Sequence, residues 1–176
     1  MKKSIAIVKP LSEVLQYENQ NVIDRFLKYY DVSMDEALFI FEELKKWLWL
    51  CGKSFEDGFK GAYISKDLAI IDEMWHTFLM FSLDYYNFCT KYFNVIIHHI
   101  PETKSERKEL NLPEVEEESE ENKINALKEK ETQFLKYVND NLGSETLNIW
   151  FLDFPQKYYK EKLNKIHKGL YPNIKQ

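Results

Sequence analysis

The sequence predicts an all-α fold, an irregular helical bundle of about five to seven helices with a short extended segment near residues 95–100. Three observations carry that reading. Apolar residues recur at helical spacing along most of the chain, and residues that start or stop helices bracket those runs. With only five Gly and five Pro in 176 residues, there are too few turn formers for an all-β sandwich. Twelve Phe, eleven Tyr and four Trp supply the large side chains of a core. A chain of this length buries roughly 70% of its unfolded surface, so it needs neither disulfides nor a metal to fold. We expect a single domain over residues 1–176.

The first helix read from periodicity is Asn21–Tyr30, with Val22, Ile23, Phe26, Leu27 and Tyr30 at helical spacing. Ser33-Met34-Asp35-Glu36 has the form of a capping box, in which Ser33 takes up an orphan amide and Glu36 reaches back. The helix it opens buries Leu38, Phe41, Leu44 and Leu48, with Phe39 and Trp47 as further candidates. Gly52 is the expected residue just past its end. Lys53–Tyr63 then reads as a loop containing an Asp57-Gly58 turn.

Ser65 is the expected N-cap of a helix through Leu68, Ile71, Trp75 and Leu79. Ser82 or Asp84 restarts a helix through Tyr85, Phe88, Cys89 and Tyr92. Val95–Ile100 is β-branched and contains two histidines, and Pro101 biases Ile100 away from helix. Six of the eight residues from Glu114 to Glu121 are glutamate, so 102–121 reads as an acidic mobile linker or insertion. Asn122–Asn141 returns to helical periodicity and Gly143 closes it. Ser144 caps a short helix through Trp150, Pro155 interrupts, and Gln156–Lys168 forms a lysine-rich final helix.

Composition limits function. A formal charge of −5 and only two arginines, Arg25 and Arg107, disfavour nucleic-acid binding. The apolar run Ile5–Val8 ends at Lys9-Pro10, too short for a signal peptide, and Trp47–Cys51 is far below the about 20 residues of a membrane span. The reading is a cytoplasmic protein that does not enter membranes, whose partners would be proteins or peptides. Cys51 and Cys89 form no C-x-x-C and read as half-buried thiols in a reducing compartment. Nothing activates Cys89 as a nucleophile.

Asp72–Pro101 is the segment with chemical potential. Asp72 and His76, four apart on one helix, share a face, so the carboxylate can fix the imidazole tautomer. In an extended chain His98 and His99 point to opposite faces, so at most one joins His76. The candidate metal ligands are therefore Asp72, His76 and either His98 or His99, with Glu73 close by. Such a set suits zinc or non-haem iron with open positions. The same residues also suit a purely structural Asp/His hydrogen bond. Glu73 to His76 is a single E-x-x-H, without the second copy of a di-iron bundle. The aromatic run Trp75, Phe78, Phe81, Tyr85, Tyr86, Phe88, Tyr92 and Phe93 follows helical periodicity and reads as core. His167 reads as solitary and solvent-exposed.

The run Asp72-x-x-Trp75-His76, then Tyr85-x-x-Phe88-Cys89, then His98-His99-x-Pro101, resembles the glycine-rich domain-containing protein-like family. Trp150 through Pro155 to Tyr158 resembles that family's tail, so the likeness spans Leu38 to Tyr159. Phe78 stands where members often have a second histidine, and Asn94 where they often have glycine. The resemblance implies a helical domain with no established reaction. The functional expectation is a non-enzymatic interaction module whose Asp/His segment is a structural lock. The alternative is a metal-binding protein, a metal-dependent hydrolase or oxygenase, using His76 with His98 or His99. A third option is a metal-free pocket lined by Trp75, Tyr85 and His98.

Overall fold

Side-chain oxygens open three of the helical segments. In the computed structural model, which describes residues 6–99 and 120–169, α1 (Leu11–Leu15) is followed by α2 (Gln20–Tyr29), opened by Asn19 Oδ1 accepting the Val22 amide at 3.3 Å. Ser33 Oγ accepts the Glu36 amide at 3.1 Å and opens α3 (Met34–Asp57). Ser65 Oγ accepts the Asp67 amide at 3.3 Å over a 3₁₀ turn, Lys66–Leu68, which runs into α4 (Ala69–Leu79). Then come α5 (Ser82–Phe93), α6 (Glu120–Asn148), a π-helical turn at Ile149–Asp153, α7 (Phe154–Lys157) and α8 (Lys160–Ile166). The protein is an all-α irregular helical bundle. Among the described residues no helix is long and apolar enough to cross a membrane.

Helix α3 runs through the centre, contacting α1, α2, α4 and α6. Ile40, Phe41, Leu44, Trp47, Leu48 and Leu50 are buried along it. Leu38 and Phe39, expected inside, are exposed, because near its start α3 buries the face that carries Ala37, Ile40 and Phe41 and leaves the opposite one to solvent. The expected stop at Gly52 is not used. The helix continues to Asp57 and ends at Gly58, whose φ of 71° is the left-handed cap that glycine adopts without strain. Gly52 serves instead as a close-approach site. A Cβ there would lie 3.0 Å from Phe93 Cδ1 and 3.4 Å from Val8 Cγ2.

Burying α3 also buries polar groups, and its buried charged groups find partners on other elements. Ser54 Oγ donates to the Cys51 carbonyl within α3, and the Trp47 indole N–H has no partner among the described residues. The Glu43 carboxylate has no solvent exposure; it takes Lys46 Nζ at 2.6 Å and the Trp150 indole N–H at 2.7 Å. Burial pushes the Glu43 carboxyl up, and the Lys46 and Trp150 bonds offset part of that. Lys45 Nζ donates to the carbonyls of Leu15 and Tyr17, satisfying acceptors at the end of α1. Glu36 accepts hydrogen bonds from the Tyr158 hydroxyl and an ion pair from Lys157 at 3.0 Å. Its partial burial acts to raise the carboxyl pKa, but the bonds from Tyr158 and Lys157 outweigh it and the net shift is downward. No sequence signal marks these pairings.

Several local expectations change. Gly143 does interrupt its helix, with non-helical φ 83° and ψ 167°. The final helix begins at Lys160 rather than Gln156, because Tyr158 leaves helical geometry and Tyr159 becomes the cap. His167 is exposed but not solitary. It forms an antiparallel bridge with Tyr30, and its ring meets the Tyr30 ring edge-on at 5.1 Å. Residues 96–99 have no regular secondary structure, since no neighbouring strand among the described residues pairs with them. Tyr86 is exposed, unlike the buried Trp75, Phe78, Tyr85, Phe88, Tyr92 and Phe93. Cys51 and Cys89 are free and fully rather than half buried, and burial pushes both thiols up. Ile100, Pro101 and the acidic stretch as far as residue 119 lie outside the described residues.

Substitutions at two positions test this packing. Gly52→Val drives branched carbons into the Phe93 ring and should cost about 1–3 kcal/mol in urea unfolding, despite valine's better helix propensity. Glu43→Ala strands the Trp150 N–H and the Lys46 ammonium and should cost roughly 2–4 kcal/mol. Glu43→Gln, which keeps an acceptor for the indole, should cost clearly less in the same measurement.

Candidate metal centre

Helix α4 buries Ile70, Ile71, Met74, Trp75 and Phe78. That leaves Asp72, Glu73 and His76 along its outer edge, with side chains 28%, 40% and 50% exposed. Helix α5 runs back from the Met80–Phe81 turn and ends at Asn94, whose φ of 57° turns the chain out of the helix. The chain then returns to α4 under a latch. Tyr85 donates its hydroxyl proton to the Ile97 carbonyl and accepts the Trp75 indole N–H at 3.1 Å. All three groups are buried, so each bond removes an otherwise costly unpaired polar group. Burial is the main cause pushing the Tyr85 phenol far above its usual range, so it remains a neutral donor.

The latch sets His99 down on α4. His99 Nε2 lies 2.7 Å from Asp72 Oδ1, and its side chain is only 16% exposed. Its ring packs edge-on against Trp75 and tilted against His76, each at 4.5 Å between centroids. One potential ligand atom from each of Asp72, His76 and His99 lies within 4.8 Å of the others. His98 is exposed, and within the described residues no hydrogen bond, ion pair or ring contact joins it to this group.

The expected Asp72–His76 pairing is not the short one. His76 Nδ1 stands 3.9 Å from Asp72 Oδ2 and 3.8 Å from Glu73 Oε2, beyond hydrogen-bonding distance of either. Helical spacing puts Asp72 and His76 on one face, but His99 arrives from outside the helix and takes the carboxylate. Sequence reasoning also missed Tyr30. This residue caps the end of α2, is buried, and donates its hydroxyl proton to Glu73 Oε2 at 2.6 Å. Burial first, and the Glu73 contact second, push the Tyr30 phenol well up. For the Trp75–Tyr85 bond a signal did exist, because a buried indole and a buried phenol both require partners. For Tyr30 the same need existed, since periodicity put its phenol on the apolar face of Asn21–Tyr30, but nothing in the sequence named Glu73 as the partner.

A family model described as UCP032817-like matches residues 12–135. The chain belongs to the UCP032817-like family. No curated protein and no solved structure matches it. The resemblance to the glycine-rich domain-containing protein-like family is therefore set aside. Its residues have a local explanation: Trp75, Tyr85 and Phe88 are buried where two successive helices pack, a need that unrelated helical proteins share. The UCP032817-like match contains every residue of the Asp72/His76/His99 group and ends before Trp150–Tyr158. In this member, that later segment anchors to α3 through Glu43 and Glu36.

Tyr85→Phe tests the latch. It leaves the Trp75 N–H and the Ile97 carbonyl unpaired and should destabilise the protein by roughly 1–3 kcal/mol. Amide exchange at residues 95–99 should accelerate more than exchange in α2, a contrast that a merely global loss of stability would not produce.

Proposed function

We propose that Asp72, His76 and His99 bind a divalent transition metal, with zinc and ferrous iron the ions best suited to the donors. What carries this reading is the arrival of a third donor, His99, on the carboxylate that already shares a helix face with His76. Two imidazoles and one carboxylate form the ligand set of catalytic-type zinc sites and of the facial triad of non-haem iron. The half-exposed His76 leaves the remaining coordination positions open to solvent. Distances fit with modest adjustment. Two donors bound at about 2.1 Å to one ion sit no more than about 4.2 Å apart. The 4.8 Å spread therefore needs a small rotation of His76, the most exposed of the three. The 2.7 Å bond between His99 and Asp72 has to open for both to turn their electron pairs to the ion.

A second reading has its own support. The same 2.7 Å bond, together with the Trp75 edge contact, closes the 94–99 return onto α4 without any ion. The group is then a structural lock in a helical module that binds proteins or peptides.

Elemental analysis of protein purified without a His-tag separates the two. The metal reading expects near-stoichiometric zinc or iron, lost in His76→Ala and in His99→Ala. In chelator-treated protein His76→Ala should leave urea stability within about 0.5 kcal/mol, since it breaks no short bond, whereas in metal-loaded protein it also removes the stabilisation that the bound ion supplies. Metal-free, fully folded protein that fails to take up zinc or ferrous iron would leave the lock, for which His99→Ala costs roughly 1–3 kcal/mol and His76→Ala almost nothing.

A further inference from the structure

We propose that Glu73 is a fourth ligand of this metal site, and that Tyr30 is the residue that positions it; the inference rests on the metal reading above. Two carboxylates straddle one imidazole nitrogen, with Glu73 Oε2 at 3.8 Å and Asp72 Oδ2 at 3.9 Å from His76 Nδ1. Both separations are too long for hydrogen bonds. Both are below the about 4.2 Å limit for two donors on one ion. Glu73 lies outside the 4.8 Å group of Asp72, His76 and His99, and joins that set by a shift of its side chain toward Asp72 and His99.

Charge points the same way. Asp72 and Glu73 are adjacent in sequence and converge on His76, yet among the described residues neither pairs with a lysine or arginine. Elsewhere in the chain acidic groups do find lysines, as Glu43 finds Lys46 and Asp57 finds Lys53. Two carboxylates facing imidazoles are under-compensated, and a dication supplies what is missing.

The third support is the way Glu73 is held. A partly exposed glutamate on a helix samples many rotamers. Here a buried phenol from another helix fixes one oxygen at 2.6 Å. Tyr30 is itself rigid: its ring stacks on Phe26 at 4.5 Å, and its backbone bridges His167. Oε2, the oxygen 3.8 Å from His76 Nδ1, keeps a second lone pair for an ion while it accepts the Tyr30 proton. A ligating carboxylate oriented by an outer hydrogen bond is a common feature of metal sites, where losing the outer partner lowers affinity about 10–100-fold.

The test is a Co²⁺ titration of the full chain, followed by visible absorption, in wild type, Glu73→Gln, Tyr30→Phe and His76→Ala. Circular dichroism confirms folding of each. We expect Glu73→Gln to weaken Co²⁺ binding about 10–100-fold and to change the position and intensity of the d–d bands. Tyr30→Phe should weaken binding less, about 10-fold, and keep the wild-type band positions at saturation, as fits a positioning residue. Should Tyr30→Phe fail to fold, Glu73→Gln alone carries the decision. Wild-type affinity and spectrum in Glu73→Gln, with binding lost in His76→Ala, would overturn the Glu73 assignment and spare the site. Absence of Co²⁺ binding in wild type, or its persistence in His76→Ala, would overturn both.

Discussion

The bundle depends on enclosing α3. A helix surrounded by neighbours along its middle cannot leave its charged side chains unpartnered, because an ion in an apolar interior costs several kcal/mol unless it is paired. Three α3 residues meet that constraint by reaching other elements. Lys45 holds the end of α1, Glu43 holds the π-helical turn through Trp150, and Glu36 holds α7 through Tyr158. The groups that would have been liabilities thus choose the neighbours of α3. Apolar burial supplies most of the stabilisation, but it is non-directional and does not select one arrangement of helices. The paired charges do.

The position of the candidate metal centre follows from the same packing. Because α4 lies against α3 with Ile70, Ile71, Met74 and Trp75 buried, Asp72, Glu73 and His76 are confined to its outer edge. Trp75 then joins interior to rim. Its indole N–H meets the Tyr85 hydroxyl, which fastens Ile97 and brings His99 within 2.7 Å of Asp72. A hydrophobic decision about which face of α4 turns inward therefore becomes a decision about which polar atoms meet.

Membership of the UCP032817-like family also sharpens what the aromatic and histidine pattern means. Large apolar side chains at helical spacing on two successive helices serve any tightly packed pair, so they are a poor guide to kinship. The distinctive content of the segment is polar: two adjacent carboxylates, a histidine one turn later, and another returned by the chain after α5. Phe78 illustrates the difference. Its place in the core among Tyr17, Phe41, Tyr85 and Phe88 leaves no room for a ligand's role there.

Local chemistry in the sequence determined the all-α class, the helix starts at Ser33 and Ser65, the interruption at Gly143 and the separation of Asp72 from His76 by one turn. Each rests on residues within a few positions of one another, where periodicity and capping act. Contacts between distant parts of the chain decided the rest. Whether Gly52 stops a helix or admits a ring depends on Phe93, and whether Glu43 is solvated or buried depends on Trp150. Which of two adjacent histidines meets Asp72 depends on the Tyr85 latch, and what orients Glu73 depends on Tyr30. The sequence pattern named the donors on α4. Only the packing of α2, α4 and α5 could bring the other donor, and the phenol behind Glu73, to the same edge, because those side chains meet through space and not along the chain.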